Sequence, residues 1–198
     1  MHRAGRTGFI IGIVVVVGLV GVYLAWANLT YTYHGSVIDP APSAFDIQLP
    51  TAAGQSFHLD DQAGKITLIY FGYTNCTDEC PATLADLKKV LQNLGGQAAN
   101  VRVVFVTIDP QRDTAALMAD YLAAIDPGFI GITAAEAALT PIWAGYGVYR
   151  EVREGTLIDH PGQVFVVDRH NRLRLTFPPG IPYQDMVADV RHLLQGSS

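Results

Sequence analysis

Cysteine is almost absent: the chain of 198 residues holds two, Cys76 and Cys80. A bridge between them would close so short a loop that it constrains the unfolded chain little, which makes pure bracing a weak reason for the pair. A basic excess is lacking as well. Arg3 and Arg6 stand at the start, so residues 30–198 carry 11 Lys or Arg against 18 Asp or Glu, a net charge of −7. That balance argues against nucleic acid as a partner, because phosphate binding wants a basic surface. Charge is missing altogether from Phe9 to Leu29. Repeats and low-complexity stretches are also missing, so residues beyond about 40 read as one domain with a sizeable core.

The uncharged run is rich in Ile, Val, Leu and Gly and follows two arginines, with Tyr23 and Trp26 near its far end. This pattern predicts a transmembrane helix over residues 9–29, a cytoplasmic segment over 1–8 and a translocated C-terminal part. Ala25-Trp26-Ala27 has the small-x-small form of a signal-peptidase site, so a cleaved leader remains the alternative to a retained anchor. Either reading places the cysteines in an oxidising compartment. Residues 30–44, with Gly, Pro and Ser and little periodicity, read as a tether, and 45–198 as the folded domain.

Within the domain, Phe45 to Leu49 and Gln55 to Leu59 suggest a hairpin, and Ile66 to Phe71 a central strand. Leu84, Leu87, Leu91 and Leu94 lie at helical spacing after Pro81, which suits a first helical position. A strand over 101–108, helices over about 114–124 and within 134–146, a hairpin of 164–168 with 173–177, and a last helix over 183–194 complete the pattern. Strands alternating with helices and ending in a hairpin and helix predict a three-layer α/β domain.

Cys76 and Cys80 sit between the central strand and the next helix, the thioredoxin arrangement, but with three residues between the sulfurs rather than two. The Pro-x-x-x-Thr-x-x-Cys of a peroxidatic cysteine is missing: Cys76 has Ile69 and Tyr73 at those positions, and Cys80 has Tyr73 and Thr77. The four-residue step brings both thiols to one face of a helix start, where free N–H groups and the helix dipole favour thiolates. The pair can hold a soft metal, cycle between dithiol and disulfide, or brace the loop. Two thiolates suit Cu(I), and a third ligand has to come from His or Met.

The candidates are His34, His58, His160, His170, His192, Met118 and Met186. His160 stands out, because the loop before strand 164–167 faces the active cysteines in a thioredoxin-like fold, and Asp159 could orient its ring. His34 belongs to the tether, His58 to an edge strand, His170 to a turn and His192 to the polar side of the last helix, and both methionines read as core. Asp78 and Glu79 lie between the cysteines as loop residues, and Arg112 is placed to pair with Asp109 or Asp113 and support the loop.

Three ordered segments resemble the Sco/SenC family of copper proteins. Its Phe-Gly-Tyr-Thr-x-Cys-Pro-x-x-Cys-Pro pattern matches Phe71 to Pro81 with Thr77 in place of the first Pro. Its Thr-x-Asp-Pro-x-Arg-Asp segment matches Thr107 to Asp113. Its Asp-His pair before a final strand ending in Asp matches Asp159, His160 and Val164 to Asp168, with Pro161 where Ser is usual. The resemblance implies a membrane-tethered, thioredoxin-like domain in which Cys76, Cys80 and His160 bind copper, as Cu(I) with Cu(II) as a second state. It further implies a bacterial inner-membrane, single-pass protein with its domain on the periplasmic side. Its partner would be subunit II of cytochrome c oxidase, which carries the CuA centre, and another periplasmic copper chaperone or a thiol reductant would serve it. Three functions follow: a copper metallochaperone, a thiol-disulfide oxidoreductase acting on the CuA cysteines through Cys76 and Cys80, and a structural assembly factor.

Overall fold

The structure, a computed structural model, describes residues 12–24, 31–153 and 157–196. The chain divides into two compact units, Met1–Tyr33 and His34–Ser198. In the first, residues 12–24 form helix α1 with its side chains exposed, and the rings of Tyr31 and Tyr33 meet edge to face at 5.1 Å.

The expected membrane anchor is corrected here. At about 1.5 Å per residue, the described part of α1 spans about 20 Å against a ~30 Å hydrocarbon core. Among the described residues no helix is long and apolar enough to cross a membrane. Hydropathy sums the apolar residues of the run, whereas crossing needs them on one long helix, which the described residues do not contain. The single-pass inner-membrane topology with a periplasmic domain has no spanning helix among the described residues on which to stand. The Ala25-Trp26-Ala27 site and Trp26 lie outside the described residues.

The second unit is built on a six-stranded sheet in the order β1-β10-β9-β4-β5-β6, with β1 Ser36–Val37, β4 Ile66–Gly72, β5 Val101–Thr107, β6 Ile130–Ile132, β9 Val164–Val167 and β10 Leu173–Phe177. β4, β5 and β6 run parallel, with Tyr70 beside Phe105 and Gly72 beside Thr107, and β9 pairs antiparallel with β4 on its other side. β4 is buried on both faces, as its unbroken apolar run requires for a central strand. Ser36 and Val37, within the segment read as a tether, pair with β10 at the sheet edge.

Two parallel crossovers carry α2 Glu79–Leu94 and α3 Ala115–Ile125, and both pack with each other and, through α2, with α5 Tyr183–Gln195. Because successive residues of a strand face opposite ways, Tyr70 and Phe105 look toward these helices. Phe71 looks away, onto Tyr146 at 5.3 Å and Phe165 at 5.6 Å. Tyr146 follows α4 Glu136–Gly145, whose Trp143 indole N–H donates to the Thr107 carbonyl at 3.0 Å. The sheet therefore lies between two helical layers.

Thr114 caps α3 by accepting the Leu117 N–H, and Asn171 takes the left-handed conformation in the β9–β10 turn at φ 54°. The predicted hairpin is present as β2 Gln48–Pro50 with β3 Ser56–His58. β6 and the hairpin of β7 Glu151–Arg153 with β8 Leu157–Asp159 have no counterpart in the sequence reading. Each is three residues long, too short for a period to register.

Candidate functional site

β4 delivers the chain to the sulfurs. Its last residue has to be glycine: a Cβ on Gly72 would stand 2.9 Å from the Cys80 sulfur and 2.8 Å from the Phe105 ring. Removing that one carbon lets Cys80, in the first turn of α2, bury completely against the sheet. Tyr70, two residues earlier on the same face, donates its hydroxyl to Cys80 Sγ at 3.6 Å. Cys76, half-buried in the loop, accepts the Cys80 backbone N–H on its own sulfur at 3.3 Å. The first thiol thus takes one of the N–H groups that every helix start leaves unsatisfied. Both cysteines are free thiols.

The expected helix-favoured thiolate is not what Cys80 offers. Burial pushes its thiol up to about 12 and the neighbouring Cys76 adds to the rise, while the Tyr73 backbone N–H and the Tyr70 hydroxyl pull the other way. Desolvation of a fully enclosed sulfur outweighs a helix end because it acts on the whole charge. Cys80 is a neutral, inward thiol at neutral pH, and Cys76 is the sulfur that solvent reaches.

Asp113 holds the loop that carries them. It is fully buried just beyond β5 and accepts from the Thr74 N–H at 3.2 Å, the Thr74 hydroxyl at 2.6 Å and the Thr107 hydroxyl at 2.6 Å. Burial raises its carboxyl above the usual range, against the pull of the two threonines. Arg112 pairs instead with Asp109.

His160 arrives from the other side, in the loop between β8 and β9. It is buried, with its ring centroid 6.4 Å from that of Tyr70 and 6.1 Å from that of Tyr73. Its Nδ1 lies 3.2 Å from the Pro161 carbonyl. As an N–H donor there, Nδ1 leaves the lone pair of the neutral ring on Nε2. Two contacts seat this loop on the cysteine segment: Ile158 N–H donates to the Tyr73 hydroxyl at 3.3 Å, and Gly162 lies so close to Glu79 that a Cβ would fall 1.8 Å from its carboxylate. The side chain of Asp159 lies outside the described residues.

Cys76, Cys80 and His160 thus share two tyrosines and one loop contact. Among the described residues they do not form a group with all donor atoms within 4.8 Å of one another; Asp46, His58 and Asp60 do. The remaining candidates are engaged elsewhere. His34 Nδ1 meets Asp189 at 3.0 Å, His58 Nε2 meets Asp46 at 2.8 Å, and His170 donates its backbone N–H to Asp168 within a turn. Burial lowers His192, and Met118 and Met186 are core. Asp78 and Glu79 are exposed. Sequence reasoning missed Tyr70, Gly72 and the Asp113 clasp. The two-residue step from Tyr70 to Gly72, pointing to the helix side of the strand, was the available signal for the first two.

Residues 39–195 match the family described as SCO1/SenC. The chain belongs to the SCO1/SenC family. It is 30% identical over 133 residues to a SCO2-like protein of Rickettsia felis, covering 64% of this chain and 65% of that one. It is 31% identical over 138 residues to mitochondrial SCO1 of Saccharomyces cerevisiae, covering 64% and 46% respectively. The chain thus spans less than two thirds of the length of either relative. Copper-bound ScoI of Bradyrhizobium japonicum superposes with a TM-score of 0.70 at 31% identity, over 77% of this chain and 99% of that structure. Apo Sco1 of Thermus thermophilus does so at 0.73 and 29%, over 83% and 99%. The SCO1/SenC domain described here is accordingly a thioredoxin-like α/β domain.

Proposed function

We propose that this SCO1/SenC protein is a copper metallochaperone serving cytochrome c oxidase assembly, with Cys76, Cys80 and His160 holding the Cu(I) ion it carries. The observation that carries the reading is the convergence of two reduced thiols and one imidazole on the Tyr70–Tyr73 pair. The copper-bound Bradyrhizobium relative supports the choice of metal. The donor set fits the ion: thiolate and imidazole are the soft and borderline ligands that Cu(I) prefers.

Each residue has a distinct task. Cys76, at the surface, meets the incoming ion first. Cys80 gives up its proton to the ion's charge, so loading releases protons and closes the site inward. His160 offers Nε2 while Pro161 keeps Nδ1 occupied. Unloading runs through Cys76 by ligand exchange with acceptor thiols, those of the CuA site in subunit II being the acceptor proposed. Cu(II) is the second state of the same ligands.

The test is copper stoichiometry on the reduced full chain and on C76A, C80A and H160A. One ion per chain is expected, lost with either cysteine and weakened without His160. Tight one-to-one binding that survives removal of both sulfurs sinks the proposal.

A second reading, thiol-disulfide exchange, is favoured by one observation: the two sulfurs differ in access, Cys76 half-buried and Cys80 enclosed. That asymmetry suits an attacking and a resolving thiol. A mixed disulfide with the acceptor, trapped through Cys76 in C80A, supports it, and failure to trap one under reducing challenge counts against it. A purely structural assembly role is supported only if replacing both cysteines by Ser leaves oxidase assembly unchanged.

A further inference from the structure

Tyr70 carries a hydroxyl where the packing of β4 calls only for a ring. Its side chain is fully buried, and the ring meets Phe105 at 5.9 Å and His160 at 6.4 Å. Phenylalanine would keep both of those contacts. The hydroxyl adds a third, donating to Cys80 Sγ at 3.6 Å. Taking a hydroxyl out of water is unfavourable unless a hydrogen bond offsets it, so the partner it finds marks what the extra oxygen does.

Two of the three residues proposed as ligands therefore touch one side chain. Cys80 comes from the first turn of α2 and His160 from the loop between β8 and β9, two segments far apart in the chain, and both meet Tyr70 on the central strand. Gly72, two residues further along the same face, leaves room for the Cys80 sulfur beside the Phe105 ring. Room alone does not orient a side chain, whereas a hydrogen bond is directional. Cys76 is held differently, its sulfur accepting the Cys80 backbone N–H. Hydrogen bonds to the residues around a metal orient those residues and tune the metal they bind.

We propose that Tyr70 is the positioning residue of this site: its hydroxyl holds Cys80 Sγ in one rotamer and stays bonded to that sulfur when it serves as a metal ligand, while its ring backs the His160 imidazole. The metal-ligand half rests on the copper-carrying function proposed above; the rotamer half does not.

Tyr70→Phe in the full chain removes the hydroxyl and keeps the ring. In reduced, metal-free protein, three-bond NMR couplings are expected to give one Cys80 χ1 rotamer in the wild type and a rotamer average in the variant. Cys76 alkylation is expected to be unchanged, since its sulfur bonds to the Cys80 N–H instead. Competition with a chromophoric chelator is expected to show Cu(I) bound about tenfold more weakly, the worth of one hydrogen bond to a charged group. In the Cu(II)-loaded protein the sulfur-to-copper charge-transfer band is expected to move to lower energy, because a sulfur relieved of its hydrogen bond gives up charge more readily. A hydroxyl that served only to pack the core would move neither the rotamer nor the band. The same Cys80 rotamer distribution in both proteins overturns the proposal whatever copper does, and so does an unmoved band or an unchanged affinity in a variant that binds copper. A freed rotamer in a chain that binds no copper supports Tyr70 and refutes the metallochaperone reading instead.

Discussion

Asp113 is where a single substitution should separate the fold of the cysteine loop from its chemistry. In Asp113→Ala the Thr74 amide, the Thr74 hydroxyl and the Thr107 hydroxyl all lose their acceptor. Thr107 is buried, so its hydroxyl cannot turn to water. Donors left without their acceptor cost roughly 1–3 kcal/mol each, offset in part by no longer burying the carboxylate. A net destabilisation of about 3 kcal/mol is expected. With a urea m-value of roughly 2–3 kcal/mol/M, the midpoint should drop by about 1 M at constant slope. Cys76 alkylation in the folded variant should also accelerate, because the Thr74 end of its loop is released.

The same residue gives a signed pH dependence. Burial raises its carboxyl above the ordinary value of 3.8, so the native state holds the proton more tightly than the unfolded chain does. A raised value means that this group's stabilising contribution is complete below the unfolded pKa and is lost as pH rises through the folded one. The stability gap between wild type and Asp113→Asn should therefore widen as pH falls from 7 toward 4. Equilibrium urea unfolding of both proteins across that range measures it. A gap that narrows toward acid would mean that the threonines hold Asp113 as an anion, which refutes the dominance of burial argued here.

Three further outcomes follow from the same geometry. Iodoacetamide at pH 7.5 should label Cys76 and leave Cys80 intact in the folded chain, since a thiol pushed up to about 12 is a thiolate in only about 1 in 10⁴ to 10⁵ molecules at that pH; mass spectrometry showing equal labelling would contradict this. Gly72→Ala should cost about 2–3 kcal/mol in urea unfolding, because its Cβ must displace the Cys80 sulfur or the Phe105 ring, and a variant with unaltered stability would show that the strand yields. Asp189→Ala should cost about 2–3 kcal/mol, since this buried carboxylate accepts the backbone N–H groups of His34 and Gly35 as well as the His34 ring. Faster hydrogen exchange at Ser36 and Val37 is the local sign to look for.

How much of this could be read from the chain depends on whether the deciding interaction was local. β4, β5, α2 and α5 were legible because each repeats an apolar pattern over seven residues or more. The positions of both cysteines and of His160 were legible because strand, loop and helix order fixes which chain segments meet at one end of the mixed sheet. Ionisation was not legible. From the spacing, Cys80 has a helix start and predicts a thiolate; in the fold it has Gly72 beneath it and Tyr70 beside it, and desolvation reverses the prediction. The anchor was misread because hydropathy sums residues along a run, whereas spanning needs a single long helix, and no helix among the described residues is long and apolar enough. Asp113 lies 33 residues beyond Cys80, and only the parallel pairing of β4 with β5 brings it to the loop that carries the cysteines. The residues proposed as ligands therefore announce themselves in sequence, while those that set their charge state depend on which groups the fold desolvates.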